Sequence, residues 1–137
     1  MNMEKIIIEV GKTSNGYCAS CPLLEGWVVA VTGNFDDLKK EVLESIDFYV
    51  ECAQKDGDEY PAVFDTEYTI EYKFDIESLL YFYRKVFTKA ALEHITGINQ
   101  KQISNYACGR AKPRKEQADK IVNALHNLAQ ELMAVSV

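Results

Sequence analysis

The chain has 137 residues, of which 47% are hydrophobic and 26% charged, and a formal net charge of −6. That size admits one ordinary domain or two small ones, and that balance is the composition of a folded chain, not of a disordered one. No apolar run approaches the roughly 18 to 20 residues that a spanning helix needs, and MNMEKIIIEV lacks the long apolar core of a signal peptide, so a cytoplasmic protein is expected.

In chain order, Lys5 to Val10 is rich in β-branched residues and reads as a strand. Asn15-Gly16 is a hairpin signal before a second strand, Tyr17 to Ser20. A third strand, Trp27 to Thr32, follows the Pro22 to Gly26 loop. Asn34 can cap a helix with Asp36 and Asp37 in its first turn, and Phe35, Leu38, Val42, Ile46, Tyr49 and Ala53 fall on one face of it. Gln54 to Pro61 is a polar connection. Glu67 to Phe74 then alternates, with Tyr68, Ile70, Tyr72 and Phe74 on one side and Glu67, Thr69, Glu71 and Lys73 on the other. Residues 1–74 are therefore expected to form a β-β-β-α-β domain.

Residues 75–137 read as all helical. Asp75 can cap a helix that carries Ile76, Leu79, Leu80, Phe82, Tyr83, Val86 and Phe87. Thr88 can cap a shorter helix with Leu92 and Ile95 on one side; Gly97 breaks it, and Asn99 is a second cap opening Gln100 to Cys108. Two helices then meet across a tight glycine turn, the layout of a helix-turn-helix. In the second of them Ile103 and Ala107 are expected to face the core, leaving Gln100, Lys101, Gln102 and Asn105 outward. Glutamine and asparagine can pair bidentately with adenine, and lysine can donate to guanine, so these four are the candidate base readers. Candidate phosphate contacts are Lys89, Asn99, Ser104, Arg110, Lys112 and Arg114. Lys115 to Met133 is a final helix whose stripe of Ala118, Ile121, Val122, Leu125, Leu128, Ala129 and Leu132 exceeds what one short bundle uses. Either the remainder packs across the domain junction or a second copy covers it; pairing as a homodimer or higher homo-oligomer is the favoured expectation, since such readers usually bind two half-sites as dimers.

Charge divides at the same boundary. Residues 1–74 hold 15 acids and 6 bases, a balance of −9, whereas residues 75–137 hold 6 acids and 9 bases, a balance of +3. From Lys85 to Lys115 there are seven Lys or Arg and one acid, Glu93. The basic part can take a polyanion, and the acidic part is free for a cationic partner.

Other chemistry is weaker. Cys18, Cys21, Cys52 and Cys108 are too few and too dispersed for a disulfide framework, so reduced thiols are expected. Cys18-Ala19-Ser20-Cys21 has no second pair at zinc-finger spacing. His94 and His126 have no Cys or Ser neighbour to activate. Glu9, Asp47 and Glu51 are the carboxylates that a catalytic metal would need to bring together, but their spacing places them on solvent-facing sides. The aromatics Tyr81, Phe82, Tyr83 and Phe87 sit at the helical spacing of a core. No catalytic residue, metal or cofactor is expected, and the chain is not read as an enzyme.

From Thr88 to Pro113 the segment resembles the lambda-repressor/Cro-type helix-turn-helix, with Gly97, Ile98, Ile103, Ser104, Gly109 and Pro113 at that family's spacing. Glu93 stands where the family usually has alanine, and Ala107 where it often has glutamate. The β-β-β-α-β order, Asn15-Gly16-Tyr17, the Pro22 to Gly26 loop and Gly33-Asn34-Phe35-Asp36-Asp37-Leu38 resemble the HicB antitoxin domain, although the loop lacks the usual Asp-Leu-Pro-Gly-Cys run. The resemblance implies an α+β protein: a partial RNase H-like domain without an active site, then a helix-turn-helix domain. It further implies neutralisation of a small, basic, HicA-like mRNA-cleaving toxin and autorepression at operator DNA. The alternative is a stand-alone transcriptional regulator whose first domain serves oligomerisation or ligand sensing.

Overall fold

Alternation along β1 (Glu4–Lys12) sends Ile6, Ile8 and Val10 to one face of a sheet, each at most 4% exposed, and Lys5, Ile7 and Glu9 to the other. The computed structural model that shows this describes residues 3–137, and it divides the chain into two units, Met1–Asp75 and Ile76–Val137. The described residues make a mixed α+β protein with one four-stranded sheet and five α-helices.

In the first unit β1 pairs antiparallel with β2 (Tyr17–Ser20), and β2 antiparallel with β3 (Val28–Val31). The chain then crosses through α1 (Phe35–Asp56) and a short 3-10 turn, Ala62–Asp65, to β4 (Tyr68–Phe74), which runs parallel to β1. Parallel pairing requires such a long crossover, and the resulting strand order is β3-β2-β1-β4. Ile6 pairs with Ile70, Ile8 with Tyr72 and Val10 with Phe74, so the apolar positions of both strands share a face. Leu38, Val42 and Ile46 of α1, all fully buried, pack with that apolar face as the core of the unit. On the opposite sheet face Lys5 and Glu71 form a 3.8 Å ion pair, and Ile7 and Val28 are exposed.

Local chemistry explains the ends of α1. Asn34 Oδ1 accepts from the Asp37 N–H and Asp37 Oδ2 accepts from the Asn34 N–H, both at 3.0 Å, a reciprocal capping box. Gly57, at φ 72°, closes the other end. The β1–β2 hairpin is longer than a two-residue Asn-Gly turn: Lys12 still pairs with Tyr17, and Thr13 N–H donates to the Gly16 carbonyl. Gly16 serves by close approach, since a Cβ there would collide with the Val31 carbonyl oxygen. The third strand is also shorter than Trp27 to Thr32, because Trp27 is buried at the close of the preceding loop, its N–H donating to the Leu24 carbonyl.

The second unit holds α2 (Ile76–Phe82), α3 (Lys89–Thr96), α4 (Gln100–Ala107) and α5 (Lys115–Met133). Its core is Ile76, Leu80, Leu92, Ile98, Ile103, Tyr106 and Ile121. The expected helix from Ile76 to Phe87 is cut short at Phe82. Arg84 Nη1 donates to the Tyr81 carbonyl at 2.8 Å and the Arg84 N–H to the same carbonyl at 3.3 Å, which turns the chain out of the helix. Val86, expected on the apolar stripe, is 68% exposed as a result. Among the described residues no helix is long and apolar enough to cross a membrane.

Candidate nucleic-acid interface

Thr88 Oγ1 accepts from the Ala91 N–H at 3.0 Å and starts α3; Gly97, at φ 75°, ends it, its N–H donating to the Glu93 carbonyl at 2.8 Å. Only Gly97-Ile98-Asn99 separates α3 from α4. Ile98, buried in the core, anchors this turn, and Thr96 Oγ1 braces it by donating to the Leu92 carbonyl and accepting from the Ile98 N–H. Asn99 Oδ1 accepts from the Lys101 N–H at 2.8 Å. Glu93 Oε2 accepts from the Gln100 N–H at 2.7 Å, so the first free amide of α4 is held by a side chain of α3.

The register of α4 follows from Ile103 and Tyr106, which are 1% and 5% exposed. Ala107, expected to face the core with Ile103, is half-buried and packs against it, and Tyr106 joins Ile103 among the buried members. Gln100 and Lys101 remain exposed, whereas Gln102 and Asn105 are half-buried. Lys101 and Asn105 stand on the helix side away from Ile103 and Tyr106, whereas Gln100 and Gln102 stand at its two edges, about 60° round the helix from Ile103 and about 40° from Tyr106 respectively.

The phosphate candidates form two groups. On one flank, Lys89 Nζ lies 3.2 Å from Ser104 Oγ, joining the first turn of α3 to the middle of α4. Asn99 is here a helix cap first, with its amide nitrogen left to donate elsewhere. Past the other end of α4, the Asn105 carbonyl accepts from the Arg110 N–H at 3.0 Å and the Ala111 N–H at 3.3 Å, and Gly109 takes φ 78°. These bonds fold the basic loop back against α4, with Arg110, Lys112 and Arg114 exposed. Among the described residues, none of Lys89, Lys101, Arg110, Lys112 and Arg114 has a carboxylate within 4.0 Å; Lys115 alone in this loop is paired, to Asp119 at 3.1 Å. The unpaired cations keep their full capacity to meet phosphate oxygens.

Sequence reasoning missed three participants. Glu93 was legible only as a departure from a family pattern, since its partner lies seven positions on and across a turn. Tyr106 was hidden by counting only aliphatic residues toward the core. Arg84, exposed, with its guanidinium 3.8 Å from the Tyr81 ring centroid, joins Lys89 on the α3 flank.

The remaining candidates stay apart. Glu9 lies on the sheet face away from the one packed with α1, whereas Asp47 and Glu51 lie on the exposed side of α1, where Glu51 pairs with Lys55 at 3.2 Å. Among the described residues no cluster of three or more His, Cys, Asp or Glu side chains is placed to hold a metal ion. The four cysteines are free; Cys18 is half-buried and Cys21 buried. His94 and His126 are exposed. Compared with protein-family models, with curated proteins and with solved structures, the chain has no match.

Proposed function

We propose that this chain is a HicB-like antitoxin that also represses transcription, with residues 76–137 as a helix-turn-helix domain that grips operator DNA. The observation that carries the reading is the surface of α4: Gln100, Lys101, Gln102 and Asn105 beside cations that have no carboxylate partner among the described residues. In a major groove, Gln and Asn amides can pair with adenine and Lys101 with guanine. Lys89, Ser104 and the Asn99 amide then meet one phosphate run, and Arg110, Lys112 and Arg114 the other. A helix of eight residues fixed at both ends suits this, because few side chains need to reach base edges.

The first unit is the arm that binds the toxin. Its −9 balance complements the basic face that an RNA-cutting toxin presents to its substrate. The β3-β2-β1-β4 sheet, with a crossover to a parallel β4, supports the partial RNase H-like reading of this arm. A dimer formed along α5 supplies the two readers that a two-half-site operator takes.

Selection of duplexes from a randomised library, followed by titration of the best and a scrambled duplex, tests the DNA half. Enrichment of a defined sequence is expected; equal affinity for both duplexes contradicts it. Co-expression with the small basic protein encoded by the adjoining reading frame tests the other half. A stable pair whose ribonuclease activity is silenced is expected, and a neighbour that is absent or unbound would move the reading to the stand-alone regulator.

A further inference from the structure

Between the end of α2, the first turn of α3 and one side of α4 lies an open pocket of about 450 Å³. Leu80, Leu92 and Ile103 are buried and Phe87 half-buried, so they form its base; Arg84 and Lys89 are exposed and form its rim. None of the described residues that line it is acidic.

We propose that this pocket binds a small carboxylate with an aromatic or branched aliphatic body, and that its occupant lowers affinity for DNA. The volume falls within the roughly 300 to 1,000 Å³ usual for small-ligand sites. A bare phosphate could use the rim but not the apolar base, which instead matches a hydrocarbon body. Arg84 is already oriented: its guanidinium stacks 3.8 Å over the Tyr81 ring centroid, with Nη1 held by the Tyr81 carbonyl at 2.8 Å. A planar fork fixed in advance loses less freedom when it takes a carboxylate. Lys89 supplies the second charge, with its Nζ 3.2 Å from Ser104 Oγ.

The regulatory part rests on the operator reading. Lys89 and Gln100 line the pocket and are also a proposed phosphate contact and a proposed base reader. An occupant would divert Lys89 and place a negative charge beside the duplex.

The test uses the full chain, with naphthoate as probe, naphthalenemethanol as its neutral counterpart and inorganic phosphate as the bare anion. Amide resonances of Leu80, Thr88 and Ala90 are expected to shift saturably with naphthoate, with a dissociation constant below about 1 mM. Arg84→Ala should weaken this about tenfold, and Lys89→Ala should weaken it as well, with the amide spectrum of α3, α4 and α5 intact in both and that of the α2 end altered only in Arg84→Ala. Naphthalenemethanol and phosphate should each bind more weakly than naphthoate. Absence of saturable shifts, equal binding of phosphate, or indifference to Arg84→Ala would overturn the pocket. Saturating naphthoate should also weaken duplex binding; unchanged duplex affinity would overturn the regulatory part. Naphthoate binding by a chain that binds no duplex would uphold the pocket and count against the operator reading instead.

Discussion

The carboxylate of Glu93 holds the first backbone N–H of α4, that of Gln100, at 2.7 Å. The bond ties the two short helices together across Gly97. It also sets a negative charge at the α4 N-terminus, where a helix would otherwise offer its positive end to a phosphate.

These two effects separate by substitution. Glu93→Ala removes both and should cost about 1 kcal/mol of stability, the usual worth of such a cap. Glu93→Gln keeps an acceptor oxygen but deletes the charge, so thermal stability should change little while DNA binding tightens about two- to fivefold, as one screened charge allows. Anisotropy titrations on the selected duplex decide it; weaker binding by Glu93→Gln would show that the carboxylate itself assists recognition.

Gln100 and Lys112 are predicted to fail differently. Lys112→Ala should weaken binding to every duplex and reduce the slope of log K against log salt by about 0.9, because one phosphate contact is lost. Gln100→Ala should leave the slope alone and remove about 1–3 kcal/mol of discrimination at one or two base pairs. Titrations over a salt series on selected and scrambled duplexes measure both. Identical profiles for the two variants would refute the division into reader and clamp.

What the residues announced in advance was local. Asn34, Thr88 and Asn99 are caps because a short polar side chain reaches an amide two or three residues on, and that relation is visible in a string of letters. The alternation of β4 was equally plain, but its partner was not: Tyr72 beside Ile8 is a pairing across more than half of the first unit. The end of α2 escaped for another reason. Nothing in the apolar spacing of Ile76 to Phe87 reveals that Arg84 will curl back onto the Tyr81 carbonyl. At the candidate interface the exposure of Gln100 and Lys101 followed from periodicity, but the half-burial of Gln102 and Asn105 did not, and the Lys89–Ser104 contact and the Glu93 bond needed the angle between two helices.

Gly16→Ala tests the hairpin. A Cβ at Gly16 collides with the Val31 carbonyl and lies 2.8 Å from Thr32 Cα, so strand backbone must move. The expected cost is about 3 kcal/mol. Gly26→Ala is the control: it has open space but φ 77°, and should cost only about 1 kcal/mol. Trp27 is the chain's single tryptophan and is buried in the same unit, so its fluorescence follows unfolding there. Equal midpoints in urea for the two variants would contradict the close approach.

Alkaline pH should destabilise the first unit. Burial raises the Tyr68 phenol, with the Asp47 charge adding to it, and burial raises Tyr72. A folded-state value above the unfolded one means that the stabilisation is complete below the ordinary 10.0 and is lost as pH climbs through the folded-state value. Asp47→Asn should bring the Tyr68 titration to lower pH and leave Tyr72 in place. Phenolate absorbance, with Tyr68→Phe and Tyr72→Phe to assign each step, reads this directly, and a Tyr68 step unmoved by Asp47→Asn would remove the carboxylate from the account.

The end of α5 carries the prediction about assembly. Ala118, Ile121, Val122 and Leu125 pack with the core of the second unit, but beyond them Leu128 is half-buried, Leu132 is 61% exposed and Met133 is 87% exposed. Leu128 and Leu132 stand one turn apart on the same side, so a second α5 laid across them would bury both pairs at once. Each large apolar side chain moved out of water contributes about 1.5–3 kcal/mol, and symmetry doubles the sum. Leu132→Glu, which puts like charges face to face across that contact, should therefore give a monomer by sedimentation at micromolar concentration. Thermal unfolding of the core around Ile121 should change little, because Leu132 lies outside it. Affinity for a duplex with two half-sites should fall while that for a single half-site stays the same. A wild-type chain that sediments as a monomer, or a Leu132→Glu variant that remains a dimer, would place the assembly surface elsewhere.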